Sequence, residues 1–479
     1  MLYSYKPDYL ATSGAYRSIK MKLHRLRFSL RLKRDTDMTT GSIYEHLLWF
    51  ALPLLVGNLF QILYNTVDSI VVGNFVSKQA LAAVGGSGPI INTLVGIFSG
   101  LASGATVVIS QYYGAHDNKH VSEAVHSTLA LTAVLSVIFT IVGIVFTPTM
   151  LKWMAVPDDV MPEALTYLHI YFAGVSGLLF YNMGTGILRA VGDSRRPTIF
   201  LIISALTNIV MDLILVLVIP LGTAGVAYAT IFSQFLSAIL VIITLVRSDG
   251  SFRLNLKKVK FTWPVTLKMV NIGLPTSVQQ GVTSFSNVFV QSYINVFGSA
   301  AMAGWSSYGK IDQFIQLPIQ AMAFSSTTFI GQNWGAGLYD RAKKSFRIAL
   351  KLSLIMTVIL IPVLIIFSRQ FIYLFNQETP VLDYGSLIIR YMAPFYVLSC
   401  INQIYAGALR GTGNTRVPMI IMLSSFVAFR QVYLAIISRL LPGQPVPVIL
   451  GYPAGWLLAS ILLCLYYELG NWREKYKTI

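Results

Sequence analysis

Residues 186–197 read Gly-Ile-Leu-Arg-Ala-Val-Gly-Asp-Ser-Arg-Arg-Pro, and residues 407–418 read Gly-Ala-Leu-Arg-Gly-Thr-Gly-Asn-Thr-Arg-Val-Pro. Two other segments recur at nearly the same offset of 221–222 residues. Ala-Leu-Pro at 51–53 recurs as Gly-Leu-Pro at 273–275, and Ile-Ser-Gln-Tyr-Tyr-Gly-Ala at 109–115 recurs as Ile-Gly-Gln-Asn-Trp-Gly-Ala at 330–336. Three matches in the same order at one offset predict a chain that consists of two homologous halves.

The composition excludes an ordinary soluble fold. Of the 479 residues, 55% are hydrophobic and only 11% are charged, whereas globular domains carry about 25% charged residues. The chain therefore suits a lipid bilayer. Its two cysteines, Cys400 and Cys464, exclude a disulfide scaffold and a cysteine-based zinc cluster. Its histidines show no ligand spacing, so we expect no cofactor and no metalloenzyme.

Twelve apolar stretches are long enough for membrane helices, which need about 20 residues each and satisfy their own backbone groups in lipid. We number them spans 1 to 12: 47–76, 81–110, 122–147, 164–189, 197–219, 222–246, 267–297, 299–333, 346–369, 385–409, 418–440 and 446–468. The sequence therefore predicts an all-α membrane protein with two lobes of six transmembrane helices. An even number of spans points both halves in the same direction, so the pseudo-two-fold axis runs along the membrane normal.

The basic residues lie mainly on one side of these spans. Of the 36 Lys and Arg residues, 29 lie in the two termini and the loops after even-numbered spans, and four lie in the opposite loops. By the positive-inside rule, we expect a multi-pass plasma-membrane protein with both termini in the cytoplasm. The net charge of +17 then reflects topology and contact with anionic lipids, and we expect no nucleic-acid partner.

Five segments follow from these boundaries. They are a basic cytoplasmic N-terminal segment (1–40), an N-lobe (41–247), a cytoplasmic linker (248–266), a C-lobe (267–468) and a cytoplasmic tail (469–479). The first segment lacks the apolar core of a signal peptide. It either lies at the lipid surface or precedes a true start at Met21 or Met38. We expect residues 1–37 to be dispensable.

Three motifs carry a family resemblance. They are the segment 53–68, the Gln-x-x-Gly-Ala sequence that closes span 2, and the Leu-Arg-x-x-Gly-[Asp/Asn]-[Ser/Thr]-Arg-x-Pro turn after spans 4 and 10. Over about residues 38–470 the chain resembles the multidrug and toxic-compound extrusion (MATE) family. The resemblance implies alternating-access export of amphiphilic, often cationic organic compounds by antiport against H⁺ or Na⁺. We expect a monomer whose partners are small organic molecules and membrane lipids.

Ionisable side chains inside membrane spans are costly and mark candidate functional sites. Asp68 in span 1 and Asp212 in span 5 are two such groups, and Asn208 lies one helical turn before Asp212 on the same face. Asn182 in span 4 and Thr230 in span 6 add two more oxygen-bearing side chains. Oxygen ligands suit a hard cation such as Na⁺, and two carboxyl groups in a low-dielectric pocket also suit proton uptake.

The resemblance implies the same set. In MATE proteins that bind their coupling ion in the N-lobe, these five positions match the site, with a possible Na⁺ at Asp68, Asn208, Asp212 and Thr230. The alternative is that the acids only stabilise helix packing. The C-lobe lacks equivalent acids, because Val290, Phe429 and Tyr433 stand at the repeat-related positions, and Thr283 and Ser399 stand where other family branches carry acids. We therefore expect coupling in the N-lobe alone.

A substrate cleft between the lobes should present flexible Gln, Tyr and Met side chains, which tolerate varied ligands. The candidates are Gln61, Tyr64, Gln279, Gln280, Met302, Lys310, Asp312 and Met322. Lys310 and Asp312 are two residues apart, so they do not face one another on a helix. Ordinary helix packing is the alternative for all of these residues.

Two other functions compete with export. A flippase for a lipid-linked precursor would need several cations in the cleft to face a phosphate, and from the sequence only Lys310 and Arg430 are available. A membrane-embedded enzyme would need a catalytic constellation at membrane depth, and His169 is the only histidine in a span that would serve. We therefore expect a transporter and not an enzyme.

Overall fold

The computed structural model describes residues 37–154 and 156–470, and every regular element in those ranges is helical. Residues 1–36 and 471–479 lie outside the described residues. What the sequence predicts for the basic N-terminal segment and for most of the tail therefore stays a prediction.

The N-lobe contains six spans. Spans 1 to 3 are the helices Ile43–Phe75, Lys78–Gly114 and Asn118–Trp153. Span 4 breaks at Gly174 into Met161–Ala173 and Val175–Ala190, which are inclined by 47°. Span 5 comprises Arg195–Leu213 and a π-helical turn, Ile214–Val218, and span 6 is Gly222–Val246. Polar caps start several helices; the Ser77 hydroxyl, for example, accepts a 3.0 Å hydrogen bond from the amide of Ala80.

The C-lobe repeats this order. Spans 7 and 8 are Trp263–Asn295 and Ser299–Gly335, and span 9 is Tyr339–Ile366, followed by a short helix, Ser368–Tyr373. Span 10 comprises Thr379–Met392, a 3₁₀ turn at Ala393–Phe395 and Tyr396–Gly411. Span 11 comprises Arg416–Leu423, a π-helical turn at Ser424–Phe429 and Arg430–Leu440, and span 12 comprises Pro445–Ile449 and Gly451–Leu469. The breaks in spans 4 and 10 are 221 residues apart, as the repeat requires.

The length and polarity of the helices agree with a membrane fold. Among the described residues, nine helices are long and apolar enough to cross a bilayer, and the bent span 4 makes ten. Spans 7 and 8, with 33 and 37 residues, complete the twelve. They are the more polar ones because they contribute several glutamines to the central cavity described below. The predicted all-α fold of two six-helix lobes is confirmed.

The lobes approach each other most closely where spans 2 and 8 end. A Cβ atom on Gly114 would lie 1.9 Å from the carbonyl oxygen of Gln332, and one on Gly335 would lie 1.9 Å from that of Gln111. Only glycine permits such an approach of two backbones. Near the other end of span 2, a Cβ on Gly85 would have no neighbour within 4 Å. The lobes are therefore in tight contact at the end marked by Gly114 and Gly335.

Residues 37–42 belong to the packed body. Met38 is 1% exposed, and its amide donates a 2.9 Å hydrogen bond to Oε1 of Gln332. Its carbonyl oxygen accepts hydrogen bonds from Asn333, at 3.1 Å, and from Arg341. Residues 37–40, which the sequence assigns to the N-terminal segment, therefore pack against the C-lobe.

Candidate functional site

Asp68 and Asp212 come together inside the N-lobe. Asp68 is 7% exposed and Asp212 is fully buried, and their carboxyl groups are neighbours. Two carboxylates are both acceptors, so they form a hydrogen bond only when one of them carries a proton. Both oxygens of Asp212 and Oδ1 of Asp68 lack a hydrogen-bond partner among the described residues. Buried acceptors of this kind are costly to leave unsatisfied, so the pair suits a proton or a bound cation.

The neutral candidates lie in two places. Asn208 is fully buried on span 5, and neither atom of its amide group has a partner among the described residues. The buried Thr230 hydroxyl donates a 3.0 Å hydrogen bond to the carbonyl of Val226, which leaves its oxygen lone pairs available. Asn182 instead lies on the wall of the central cavity, where its amide donates to Leu178 at 2.8 Å. The described residues contain no cluster of three or more His, Cys, Asp or Glu side chains that would hold a metal.

Tyrosines of spans 1 and 4 surround the carboxyl pair. Tyr64 is an electrostatic neighbour of Asp68, and Tyr167 is a neighbour of both acids. Tyr171 stacks near Tyr167 with ring centroids 6.3 Å apart. The sequence analysis missed the span 4 pair because tyrosines in an apolar helix are usual packing residues. The sequence feature that could have identified them is their four-residue spacing, which puts both rings on one face of the helix.

A cavity of about 580 Å³ lies between the lobes, a size typical of small-molecule sites. Four of the predicted cleft residues line it: Gln61, Tyr64, Gln279 and Gln280. Most of the other lining side chains are neutral and polar, among them Asn58, Asn65, Asn92, Ser99, Gln313, Gln320 and Gln403. The wall can therefore bond a ligand at many points without fixing one geometry.

The other four predicted cleft residues lie elsewhere. Met322 is 1% exposed in a hydrophobic core, and Met302 is 41% exposed outside the cavity lining. The exposed Lys310 ammonium lies 5.2 Å from the ring centroid of Phe375. Asp312 accepts hydrogen bonds from Tyr396 and, at 3.4 Å, from Tyr308 within the C-lobe. Composition identified span 8 as a cavity helix but did not determine which of its faces points inward.

Among the described residues, two arginines and no acidic side chain line the cavity. Arg189 and Arg410 lie in the last turns of spans 4 and 10, although the charge count that predicts the topology includes both among the basic residues of the cytoplasmic loops. Lys310 and Arg430, the cations that the sequence predicts to be available in the cleft, do not line the cavity. Arg430 is 3% exposed and donates within the C-lobe to Ser286, at 3.1 Å, and to Asn287.

The repeated motif shapes the turns that follow these arginines. Gly192 and Gly413 adopt φ of 86° and 91°, a left-handed conformation that favours glycine. After the first glycine, the carboxylate of Asp193 accepts hydrogen bonds from the backbone amides of Arg195, at 3.0 Å, and of Arg196. Burial raises the pKa of Asp193, although the adjacent Arg196 guanidinium acts in the opposite direction. The motif thus fixes the ends of spans 4 and 10.

The comparisons with known proteins agree with this architecture. A sequence model of the MatE family matches residues 53–214 and 275–435, one match in each lobe. The probable multidrug resistance protein YoeA of Bacillus subtilis is 28% identical over 446 residues, which cover 91% of this chain and 95% of that protein.

Solved structures extend the similarity to the whole fold. A MOP superfamily transporter from Pyrococcus furiosus, described as having a binding pocket of reverse polarity, superposes with a TM-score of 0.86 at 23% identity and covers 92% of this chain and 98% of its own. The outward-facing form of a multidrug resistance MATE family transporter gives a TM-score of 0.85 at 24% identity, with 93% and 99% covered. With a family match in both halves of a twelve-helix fold, this chain belongs to the MatE family, the MATE transporters whose motifs it carries.

Proposed function

We propose that the protein is a secondary active exporter of amphiphilic organic compounds, driven by antiport of H⁺ or Na⁺. One observation carries the proposal: a buried pair of carboxyl groups, three of whose oxygens have no donor among the described residues, lies in the N-lobe beside a cavity of about 580 Å³ between the lobes. Relatives named as multidrug resistance proteins support the export of drug-like compounds.

The carboxyl pair is the coupling site in this proposal. A charged side chain at the centre of a membrane helix costs about 2.5–3.5 kcal/mol or more, so uptake of H⁺ or Na⁺ relieves the two adjacent acids. The unpartnered oxygens of Asp68, Asn208 and Asp212, with the Thr230 hydroxyl, fit the donor set that Na⁺ prefers.

Tyr64 connects the pair to the cavity. It lines the cavity wall and is an electrostatic neighbour of Asp68, which lies one helical turn further along span 1. A change of charge on Asp68 therefore acts on a side chain that contacts substrate. Through Tyr64, ion binding at Asp68 and substrate binding in the cavity influence each other and compete.

The closed contact between the lobes supports alternating access. The tight contact at Gly114 and Gly335 lies at the end that the positive-inside rule assigns to the cytoplasm. In that orientation the closed end faces the cytoplasm, which supports an outward-facing state for this structure. Substrate uptake from the cytoplasm then requires this contact to open.

Transport in proteoliposomes tests the proposal. The assay uses one cationic and one anionic xanthene dye, rhodamine 6G and fluorescein, with an imposed H⁺ gradient, an imposed Na⁺ gradient or neither. The proposal expects uphill movement of at least one dye under at least one gradient and none without a gradient. Equal movement with and without gradients would point to a channel or to passive leakage.

A lipid flippase is the second candidate, and the two cavity arginines favour it because they supply the cations that the sequence analysis did not find there. A flippase would translocate a lipid with an anionic headgroup in the absence of soluble dye. Gradient-driven dye export without lipid translocation would exclude it.

A further inference from the structure

Arg189 and Arg410 form a symmetric pair of cations at one end of the cavity. They are 221 residues apart and so occupy equivalent places in the two repeats. Both line the cavity, and each directly precedes a residue at the closed contact between the lobes, Ala190 or Gly411. The pair therefore lies where the cavity ends and the closed contact begins.

Neither guanidinium has a counter-charge among the described residues. No salt bridge or hydrogen bond joins a described side chain to either group, and both Nε atoms are buried without a partner. Asp193, the acid of the neighbouring turn, forms a salt bridge with Arg196. Its repeat equivalent, Asn414, is neutral and donates to Tyr466 at 2.9 Å.

Arg189 and Arg410 are partly buried, and two cations without a counter-charge at one end of a cavity attract an anion. Removal of charge from water is costly, and a paired, hydrogen-bonded counter-ion offsets this cost. The planar guanidinium presents a fork of donors that matches the oxygens of carboxylate, sulfonate or phosphate groups. A cationic ligand in the same cavity would meet repulsion and no acidic partner.

The surrounding wall suits the apolar part of such a ligand. The Phe324 ring centroid lies 5.7 Å from the guanidinium carbon of Arg189, and Met422 and Phe426 line the same cavity. An aromatic or aliphatic body packs against these side chains while its charged group faces the arginines.

We propose that the cavity selects amphiphilic organic anions, whose carboxylate, sulfonate or phosphate group binds to Arg189 and Arg410. This inference rests on the proposed export function and specifies its substrate class. It departs from the cationic substrates that the family resemblance implies. The anion is either a soluble compound or the headgroup of a lipid.

Binding of two matched dyes tests the inference. Fluorescein and rhodamine 6G share a xanthene ring and carry opposite charge, and their binding to the full chain in phosphatidylcholine nanodiscs is followed by fluorescence polarisation. We expect wild-type protein to bind fluorescein at least about tenfold more tightly than rhodamine 6G, because one charge-assisted hydrogen bond contributes about this factor.

The variants separate cavity charge from net charge. R189Q/R410Q should weaken fluorescein binding at least about tenfold and leave rhodamine 6G binding unchanged or stronger, and R189K/R410K should restore part of the affinity. The control R195Q/R416Q removes the same two charges from the following turns, outside the cavity lining, and should change neither dye. Size-exclusion profiles and thermal unfolding show whether each variant is folded.

Several results would overturn the inference: tighter binding of rhodamine 6G by wild type, equal weakening of both dyes in R189Q/R410Q, or equal loss in the control. Export of rhodamine 6G alone under a gradient would overturn the anion selectivity and leave the export function intact. Failure of both dyes to move would contradict the export function itself.

A lipid arm identifies the source of the anion. Proteoliposomes with NBD-labelled phosphatidylglycerol or NBD-labelled phosphatidylcholine are treated with dithionite to follow translocation. Arginine-dependent translocation of the anionic lipid alone assigns a lipid headgroup, and arginine-dependent binding of fluorescein alone assigns a soluble anion. If neither the lipid nor fluorescein depends on the two arginines, the inference is wrong.

Discussion

The side-chain amide of Gln332 donates a 2.8 Å hydrogen bond to the carbonyl oxygen of Ala190 in the opposite lobe. In the repeat-related bond the N-lobe donates to the C-lobe: the side-chain amide of Gln111 donates a 3.2 Å hydrogen bond to the carbonyl oxygen of Gly411. We call these two bonds the glutamine latch. Each closes the contact directly beside a cavity arginine, so the repeat that is visible in the sequence also forms the barrier between the lobes.

Loss of the latch should favour opening at this end. A neutral hydrogen bond contributes about 1 kcal/mol, so Q111A/Q332A should shift the equilibrium between closed and open states by roughly tenfold to thirtyfold. Double electron–electron resonance between spin labels at the exposed residues Lys119 and Asp340 should report a larger population of long distances. Q320A, which removes a cavity-lining glutamine outside the latch, should leave the distribution unchanged. An unchanged distribution in Q111A/Q332A would show that the latch does not hold the lobes.

Substitution of the glycines next to the latch, Gly114 and Gly335, should destabilise the closed state more than loss of the latch does. G114A or G335A would place a Cβ atom 1.9 Å from a carbonyl oxygen of the opposite lobe, a distance that forces the backbones apart. The same spin-label pair should therefore show depletion of the closed state while each lobe stays folded. G85A meets no atom within 4 Å and serves as the control. A closed state that persists in G114A would contradict the contact.

The fold was predictable because its signals are local. The lengths of apolar runs give the spans, and the constant offset between Leu-Arg-x-x-Gly motifs gives the repeat. Asp68 and Asp212 were predicted as site residues because a charged side chain inside a membrane span is energetically costly, whichever span it belongs to. The cavity arginines were missed because Arg189 and Arg410 stand at the predicted ends of spans 4 and 10, and sequence places a helix end only to within one or two residues. The inward face of span 8 depends on its partner helices, so Met322 was not predictable as a core residue.

The dispensable N-terminal segment should end at residue 36. Deletion of residues 1–36 should leave unfolding temperature and export unchanged, because this segment lacks apolar periodicity. Deletion of residues 1–41 removes buried Met38 and its bonds to Gln332, Asn333 and Arg341. It should cost about 2–5 kcal/mol from apolar burial and hydrogen bonds together. Thermal unfolding in detergent compares the two truncations, and equal stability would show that residues 37–41 do not contribute.

The topology follows from the distribution of basic residues. A cysteine at the exposed residue Lys258 should react with a membrane-impermeant maleimide only from the cytoplasmic side, because the linker after span 6 is predicted to be inside. A cysteine at Lys152, which is exposed in the last turn of span 3, should react only from outside. Labelling of both from the same side would refute the twelve-span topology, and the reverse pattern would refute its orientation.

The coupling residues should differ in their dependence on the driving ion. D68N and D212N should each leave a folded protein that binds substrate but does not couple export to a gradient, since neither variant can gain or lose the charge at that position. N208A and T230A should weaken Na⁺-driven export more than H⁺-driven export, because neutral oxygens coordinate Na⁺ but contribute little to proton uptake. D312N, which changes an acid of the C-lobe already bonded by Tyr396, should retain coupling.

The most direct test is the initial rate of gradient-driven dye export by D212N, reconstituted beside wild type and D312N under H⁺ and Na⁺ gradients in turn. The account predicts that D212N retains substrate binding and loses uphill export under both gradients, while D312N still exports. Export by D212N at the wild-type rate under either gradient would contradict the carboxyl pair as the coupling site.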